Sequence, residues 1–441
     1  MIDYLFNGII LDETLYSTLS LIGANLKSLW IEWNCGLTGI KLNRILTACQ
    51  NLTSVRCITN DITDWTVSHI TTLRLIHLEP ATRINSVDRL KSLLQHSPDL
   101  RHLELRCVHT LSILPTIHKY YPHTQLITLI SNKAHFQRQF GPVRIPPMDM
   151  VQQEGKLQCL MLSAMGSTEK ILPSILENSR NTLQTLCLDI GVYHPRRNHE
   201  EIMLPTTWEL PLFVSSTPIP LLTYLHISDS SWRERTISFF RDHLPNTLRC
   251  CPALTTLVLE RFSQTREDYI IEDNIYTIIQ QLTKLSCLRL INFSVNGPHF
   301  KRLLQHYAQI QTTTSTNNTY HPLRQLAILN NDSVTPVKSN VLWYVVRITS
   351  LEQLQLRCPH MDVTDADMAD FTYFIRRLMT RLIHLELDSM PIHESAAENL
   401  AQCDNLWTLT IQGNNVQEMT NEDIQVLEAS GKVVIRRTNN S

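Results

Sequence analysis

With 18 histidines and 11 cysteines, the 441-residue chain has ligands for metal or thiol chemistry, but their spacing arranges neither. No helical His-Glu-x-x-His, Gly-x-Ser-x-Gly elbow, calcium-loop pattern or phosphate-cradling glycine loop occurs. His194 and His199 lie five apart in the charged, proline-flanked stretch His194 to Glu201, a solvated loop rather than a metal site. Asp362, Asp365, Asp367 and Asp370 precede an apolar helical pattern at Phe371. Carboxylates there complement the helix amino-terminal dipole without any cation. Cys49, Cys251 and Cys403 each stand three residues before a strand leucine, Ser97 takes that place in another unit, and Cys107 and Cys358 follow strands. Apart from the adjacent Cys250 and Cys251, none is closely paired, so the pattern predicts buried free thiols in a reducing compartment. No catalytic residue, cofactor or metal is expected.

What those cysteines punctuate is a motif, Leu-x-x-Leu-x-Leu. It is plainest at Leu100-Leu103-Leu105, Leu183-Leu186-Leu188, Leu254-Leu257-Leu259, Leu351-Leu354-Leu356 and Leu382-Leu385-Leu387. First positions fall at Leu26, Leu52, Leu73, Leu100, Leu126, Leu157, Leu183, Leu222, Leu254, Leu285, Leu323, Leu351, Leu382 and Leu406, a mean step of about 29 residues. The weakest matches are Leu52 (with Val55 and Cys57), Leu73 (with Ile76 and Leu78) and Leu126 (with Ser131 in an apolar place). Alternation inside the motif is strand periodicity; Leu42, Ile45 and Leu46, then Val87, Leu90, Leu93 and Leu94, and later Phe371, Phe374, Ile375 and Leu378 have helical spacing. A strand followed by a crossover helix returns parallel to its predecessor. The expected fold is therefore α/β, a leucine-rich-repeat solenoid (horseshoe) with parallel strands on the concave face and helices on the convex face.

The predicted organisation is one domain, 1–441, of about 14 irregular repeats. Residues 1–25 form an incomplete first repeat, 189–221 and 291–322 are loop insertions, and 420–441 is a carboxyl-terminal cap: Thr420 and Asp423 open a helix, Gly431 stops it, and Val433 to Ile435 form a last strand.

Lys and Arg number 39 against 41 Asp and Glu, for a net charge of -2. No global field draws the chain to nucleic acid or to an anionic membrane. Neither a signal-peptide pattern at the start nor an apolar run of membrane-spanning length is present; cytoplasm or nucleus is expected. The Asn-x-Ser/Thr matches at Asn51, Asn292, Asn317 and Asn331 are then chance occurrences of a short pattern.

The units Leu46-Thr-Ala-Cys-Gln-Asn-Leu52, Leu94 to Cys107 and Cys251-Pro-Ala-Leu-Thr-Thr-Leu-Val-Leu259 resemble the cysteine-containing leucine-rich repeats of F-box proteins. That resemblance implies a substrate receptor whose F-box docks to the adaptor of a cullin-type ubiquitin ligase. Nothing before Leu26 matches the family's Leu-Pro-x-Glu-Ile opening, so an adaptor is implied only where an F-box lies upstream. The chain is also similar to the ribonuclease-inhibitor type, including the Ran GTPase-activating proteins, which implies a small-GTPase regulator as the alternative; a repeat-only scaffold is the third reading.

Strand alternation turns the residues flanking the second and third leucines outward. The row so defined contains Trp30; His102, Glu104 and Arg106; Tyr224 and His226; Gln355 and Arg357; His384 and Glu386. Its mixed charge favours a protein substrate or peptide over a polyanion, and aromatic and arginine side chains are frequent anchors. The expected state is a monomer within a larger complex.

Overall fold

The structure is a computed structural model. It describes residues 3–7, 17, 21–32, 39–57, 70, 72–75, 94–105, 128–131, 157–162, 172–191, 212–213, 217–229, 238–261, 269–293, 297–310, 321–330, 338–357, 363–412 and 419–437. Two compact units divide the chain, Met1–Leu222 and Thr223–Ser441.

In the first unit β1 (Asp3–Asn7), β2 (Ser28–Glu32), β3 (Ser54–Cys57), β4 (Thr72–Leu75), β5 (His102–Leu105), β6 (Thr128–Ser131), β7 (Cys159–Leu162) and β8 (Thr185–Asp189) pair in parallel, each with the next. The second unit repeats this with β9 (Tyr224–Ser228), β10 (Thr256–Glu260), β11 (Cys287–Ile291), β12 (Gln325–Leu329), β13 (Gln353–Arg357), β14 (His384–Asp388), β15 (Thr408–Gln412) and β16 (Val433–Arg437). Among the described residues helices lie between strands at Gly39–Ala48, Tyr269–Ile279, Asp365–Leu378 and Glu394–Ala401, among others. This is the leucine-rich-repeat architecture that the motif predicts.

Register explains the motif. Leu288, Leu326, Leu354, Leu385 and Leu409 stand opposite one another on successive strands and are no more than 2% exposed. Each leucine packs against its counterparts one unit away, so the core is a column that grows with every repeat. One register differs from the expectation at Leu73. Val55 pairs with Leu73, so Leu73 is the second apolar position of its unit and the fully buried Ile70 is the first. An isoleucine fills that site as well as a leucine does, and the competing pattern with Ile76 and Leu78 masked it.

Junctions between helix and strand show what the small residues do. Leu52, Leu100, Leu254 and Leu406 donate their backbone N–H groups to the carbonyls of Cys49, Ser97, Cys251 and Cys403, three residues back. The Cys251 thiol donates at 3.0 Å to the Thr247 carbonyl, which also accepts from the Cys250 N–H, and the Cys403 thiol donates to the Asn399 carbonyl at 3.3 Å, both in the last turn of a helix. Burial pushes the Cys403 thiol up to about 11 from its ordinary 9.0. The unfolded chain thus loses this proton at lower pH than the folded one, and stability falls as pH rises past 9.0. Between pH 8 and pH 10 the Cys403→Ala protein should lose about 1 kcal/mol less stability than the parent, measured by urea unfolding.

A second close junction involves Gly23, where a Cβ would lie 2.7 Å from the Ala48 carbonyl oxygen and 2.9 Å from the Cys49 sulfur. Backbone cannot yield as a side-chain tip can. Gly23→Ala is expected to lower stability by about 1–3 kcal/mol, read as a shift in the urea midpoint.

Both predicted helix starts are built as capping boxes. Thr420 and Thr364 accept from the N–H groups of Asp423 and Asp367, whose carboxylates accept from the threonine N–H groups in return. Hydrogen bonds from Thr364 hold the Asp367 carboxyl below the usual carboxylate range. Asp365 and Asp367 thus belong to the first turn of Asp365–Leu378, and Asp362 lies outside the described residues. Gly431 follows the last helix at φ 74°, as a left-handed stop requires, and β16 completes the expected last strand.

The structure describes part of each of the two expected loop insertions. Within 291–322, Pro298–Ile310 is a helix with Phe300, Leu303, Leu304 and Tyr307 buried on one face, so this widened repeat keeps its crossover helix. The threonine tract 311–319 lies outside the described residues. Within 189–221, Leu212 and Ile219 are fully buried, the Arg180 guanidinium donates to the Thr217 carbonyl, and it stands 5.9 Å from the Phe213 ring centroid.

Candidate protein-binding face

On β13 the alternation is complete. Leu354 and Leu356 point into the core, while Gln353, Gln355 and Arg357 lie half-buried on the outer face of the strand. On β14 His384 is exposed, Glu386 half-buried and Asp388 3% exposed. Parallel register sets Glu386 between Gln355 and Thr410, and Asp388 between Arg357 and Gln412.

The side chains use that register. Glu386 accepts from the Gln355 amide at 2.9 Å and from the Gln412 amide on the far side. Arg357 donates through Nε to Asp388 Oδ2, and the Ser389 hydroxyl donates to Asp388 Oδ1 at 2.8 Å. Ser389 holds φ 60°, and its backbone N–H donates to the Gln412 carbonyl. Neighbours tie each polar group in place, so positive, negative and amide groups form a fixed pattern. Such a surface keeps little rotamer freedom to lose on binding.

Along the edge where these strands begin runs a second row. Glu352 donates its backbone N–H to Arg324, Ile383 to Glu352 and Trp407 to Ile383, while Arg324 pairs with Glu352 at 3.4 Å. Trp407 is 72% exposed. Its place immediately before the strand lies outside the alternating positions that define the predicted row. The signal available was Leu406-Trp407 itself, a large aromatic residue where most other units carry polar ones.

Of the predicted residues, Gln355, Arg357, His384 and Glu386 come together here. Tyr224 and His226 lie four strands away on β9, Tyr224 half-buried. His226 holds the outward position of its strand but is wholly buried there. Its Nε2 lies 3.8 Å from Glu260 Oε2 on β10, opposite Val258. Over β9 to β12 much of the same row is buried, Ser228, Val258, Glu260, Cys287 and Ala327 among it, while Arg289 is half-buried; apolar Val258 and Ala327 were the signs of this in the sequence. In the first unit His102 and Glu104 are half-buried on β5, whereas Cys159, Met161, Thr185 and Cys187 are buried on β7 and β8. Trp30 stands on β2 in register with Leu5 and Arg56. Arg106 lies outside the described residues.

Among the described residues no group of three His, Cys, Asp or Glu side chains could hold a metal ion. No helix there is long and apolar enough to cross a membrane.

No family model matches the chain, and no curated protein does. Among solved structures it is similar to an internalin from Listeria monocytogenes, at 12% identity over 98% of this chain and 95% of that one, TM-score 0.35. A structure of the Rad7 and Elc1 complex in yeast matches at 16% identity over 96% and 94%, TM-score 0.43. The leucine-rich-repeat protein LegL7 from Legionella pneumophila matches at 12% identity over 100% and 91%, TM-score 0.27. By its own strand register and leucine columns, the chain is a leucine-rich-repeat solenoid.

Proposed function

We propose that this chain is a non-catalytic protein-interaction module and that the face of β13 to β15, with Trp407 at its edge, receives a protein or peptide partner. The observation carrying this reading is the tied pattern Gln355–Glu386–Gln412 beside Arg357–Asp388, flanked by exposed His384 and Trp407. A polyanion would be met by one sign of charge, whereas a protein surface offers both signs and amides. Partner selection fits the substrate-recognition part of an F-box-type ubiquitin ligase, supported by the cysteine-bearing junctions at Cys49, Cys251 and Cys403. Tagged protein, expressed from its own locus with any upstream coding sequence, should co-purify a cullin and its adaptor. Their consistent absence would remove the ligase role and leave the binding role standing.

A further inference from the structure

The helices behind the strands of the second unit carry a different surface. Trp343 is 43% exposed, Tyr373 41% and Leu378 39%, large apolar side chains on the neighbouring helices Asn340–Val345 and Asp365–Leu378. They are continuous. Trp343 meets the Phe374 ring at 4.5 Å, Phe374 meets Tyr373 at 5.4 Å, and Leu378 lies one turn beyond Phe374. At the end of this cluster Gln305, Ala308, Gln309, Tyr344, Arg347 and Leu378 line an open groove of about 440 Å³, a volume that admits large side chains.

The charged lining of this groove is positive, whereas Asp367 lies at the Trp343 end of the cluster. Arg347 lines the groove and is exposed, Arg377 covers the Tyr373 ring at 5.7 Å, and exposed Arg381 stands in the turn three residues past Leu378. Among the described residues no carboxylate lies within 4.0 Å of these three guanidinium groups. Arg347 in the wall of this mixed groove, with Arg377 and Arg381 flanking its Leu378 end, offers positive charge to an anionic complement in a chain of net charge -2.

We propose that this groove docks an acidic amphipathic segment of a partner protein, its apolar anchors beside Leu378 and Tyr344 and its carboxylates on Arg347, Arg377 and Arg381. Arginine forks suit carboxylates, and the groove's glutamine amides can pair with peptide backbone. A nucleic acid fits less well, because the Tyr373 and Trp343 rings are already engaged by Arg377 and Phe374, which leaves little free aromatic face for stacking bases.

Fluorescence anisotropy with the whole chain tests this, using a labelled glutamate-rich peptide that carries Trp and Leu one helical turn apart. Saturable binding weakened by salt is expected, with a loss of about tenfold or more in Arg347→Glu and in Arg377→Glu, and little change in Trp407→Ala, which alters the strand face. Circular dichroism melts establish that the variants fold; should either fail, Arg381→Glu in the exposed turn takes its place. No binding of the peptide, equal binding of its lysine counterpart, or equal affinity in the arginine variants would overturn the proposal. So would tighter binding of a single-stranded oligonucleotide or of phosphatidylserine vesicles, in favour of those ligands.

Discussion

Leu385→Ala is expected to lower the unfolding free energy by about 3 kcal/mol or more. Leu385 is 1% exposed and stands between Leu354 on β13 and Leu409 on β15. Truncation removes apolar contact with the units on both sides and leaves a cavity that rigid strands cannot close. Because each repeat is stabilised by its neighbours, the damage should spread, with hydrogen exchange quickening first in β13 to β15. His384→Ala, one residue away but exposed, should stay within about 0.5 kcal/mol of the parent. Urea unfolding of the two variants provides the contrast, and equal midpoints would contradict the leucine column.

The second large effect is asymmetric. Arg357→Ala leaves the carboxylate of Asp388, whose side chain is 5% exposed, with the Ser389 hydroxyl but without its cation. Asp388→Ala instead frees an arginine whose side chain is 35% exposed and can turn to water. An uncompensated buried charge costs more than an exposed one, so Arg357→Ala should cost about 2–3 kcal/mol and Asp388→Ala about 1 kcal/mol. In the double variant the losses should fall short of their sum by about 1–2 kcal/mol, since the charge stranded in each single variant is gone. Strict additivity in a urea-unfolding cycle would mean that the pair contributes nothing as a pair.

The fold was legible because one packing solution is repeated. Leucines from Leu26 to Leu406 recur wherever a strand must face a helix layer, and only an isoleucine substituting at Ile70 shifted a register. Caps were legible for a related reason: Thr420, Asp423 and Gly431 act on their own backbone, within a few residues. The binding face was less so. Alternation distinguishes inside from outside of a strand, but it does not say whether something else covers the outside. His226 and Gln355 hold equivalent motif positions, yet the first is buried and the second half-exposed. Trp407 escaped because the chain turns into β15 there, where alternation does not apply. The helix Pro298–Ile310 was hidden by its setting, a long repeat step that ends in polar low complexity.

Quantitative co-purification with a paired variant tests most directly whether the fixed strand face selects protein partners. His384→Glu combined with Trp407→Ala alters exposed side chains and should leave the melting transition in place. At least one protein recovered with the parent should drop by about tenfold or more with this variant, and persist with Arg347→Glu on the helix side. Recovery of every partner in undiminished amount by the folded double variant would contradict the strand-face assignment.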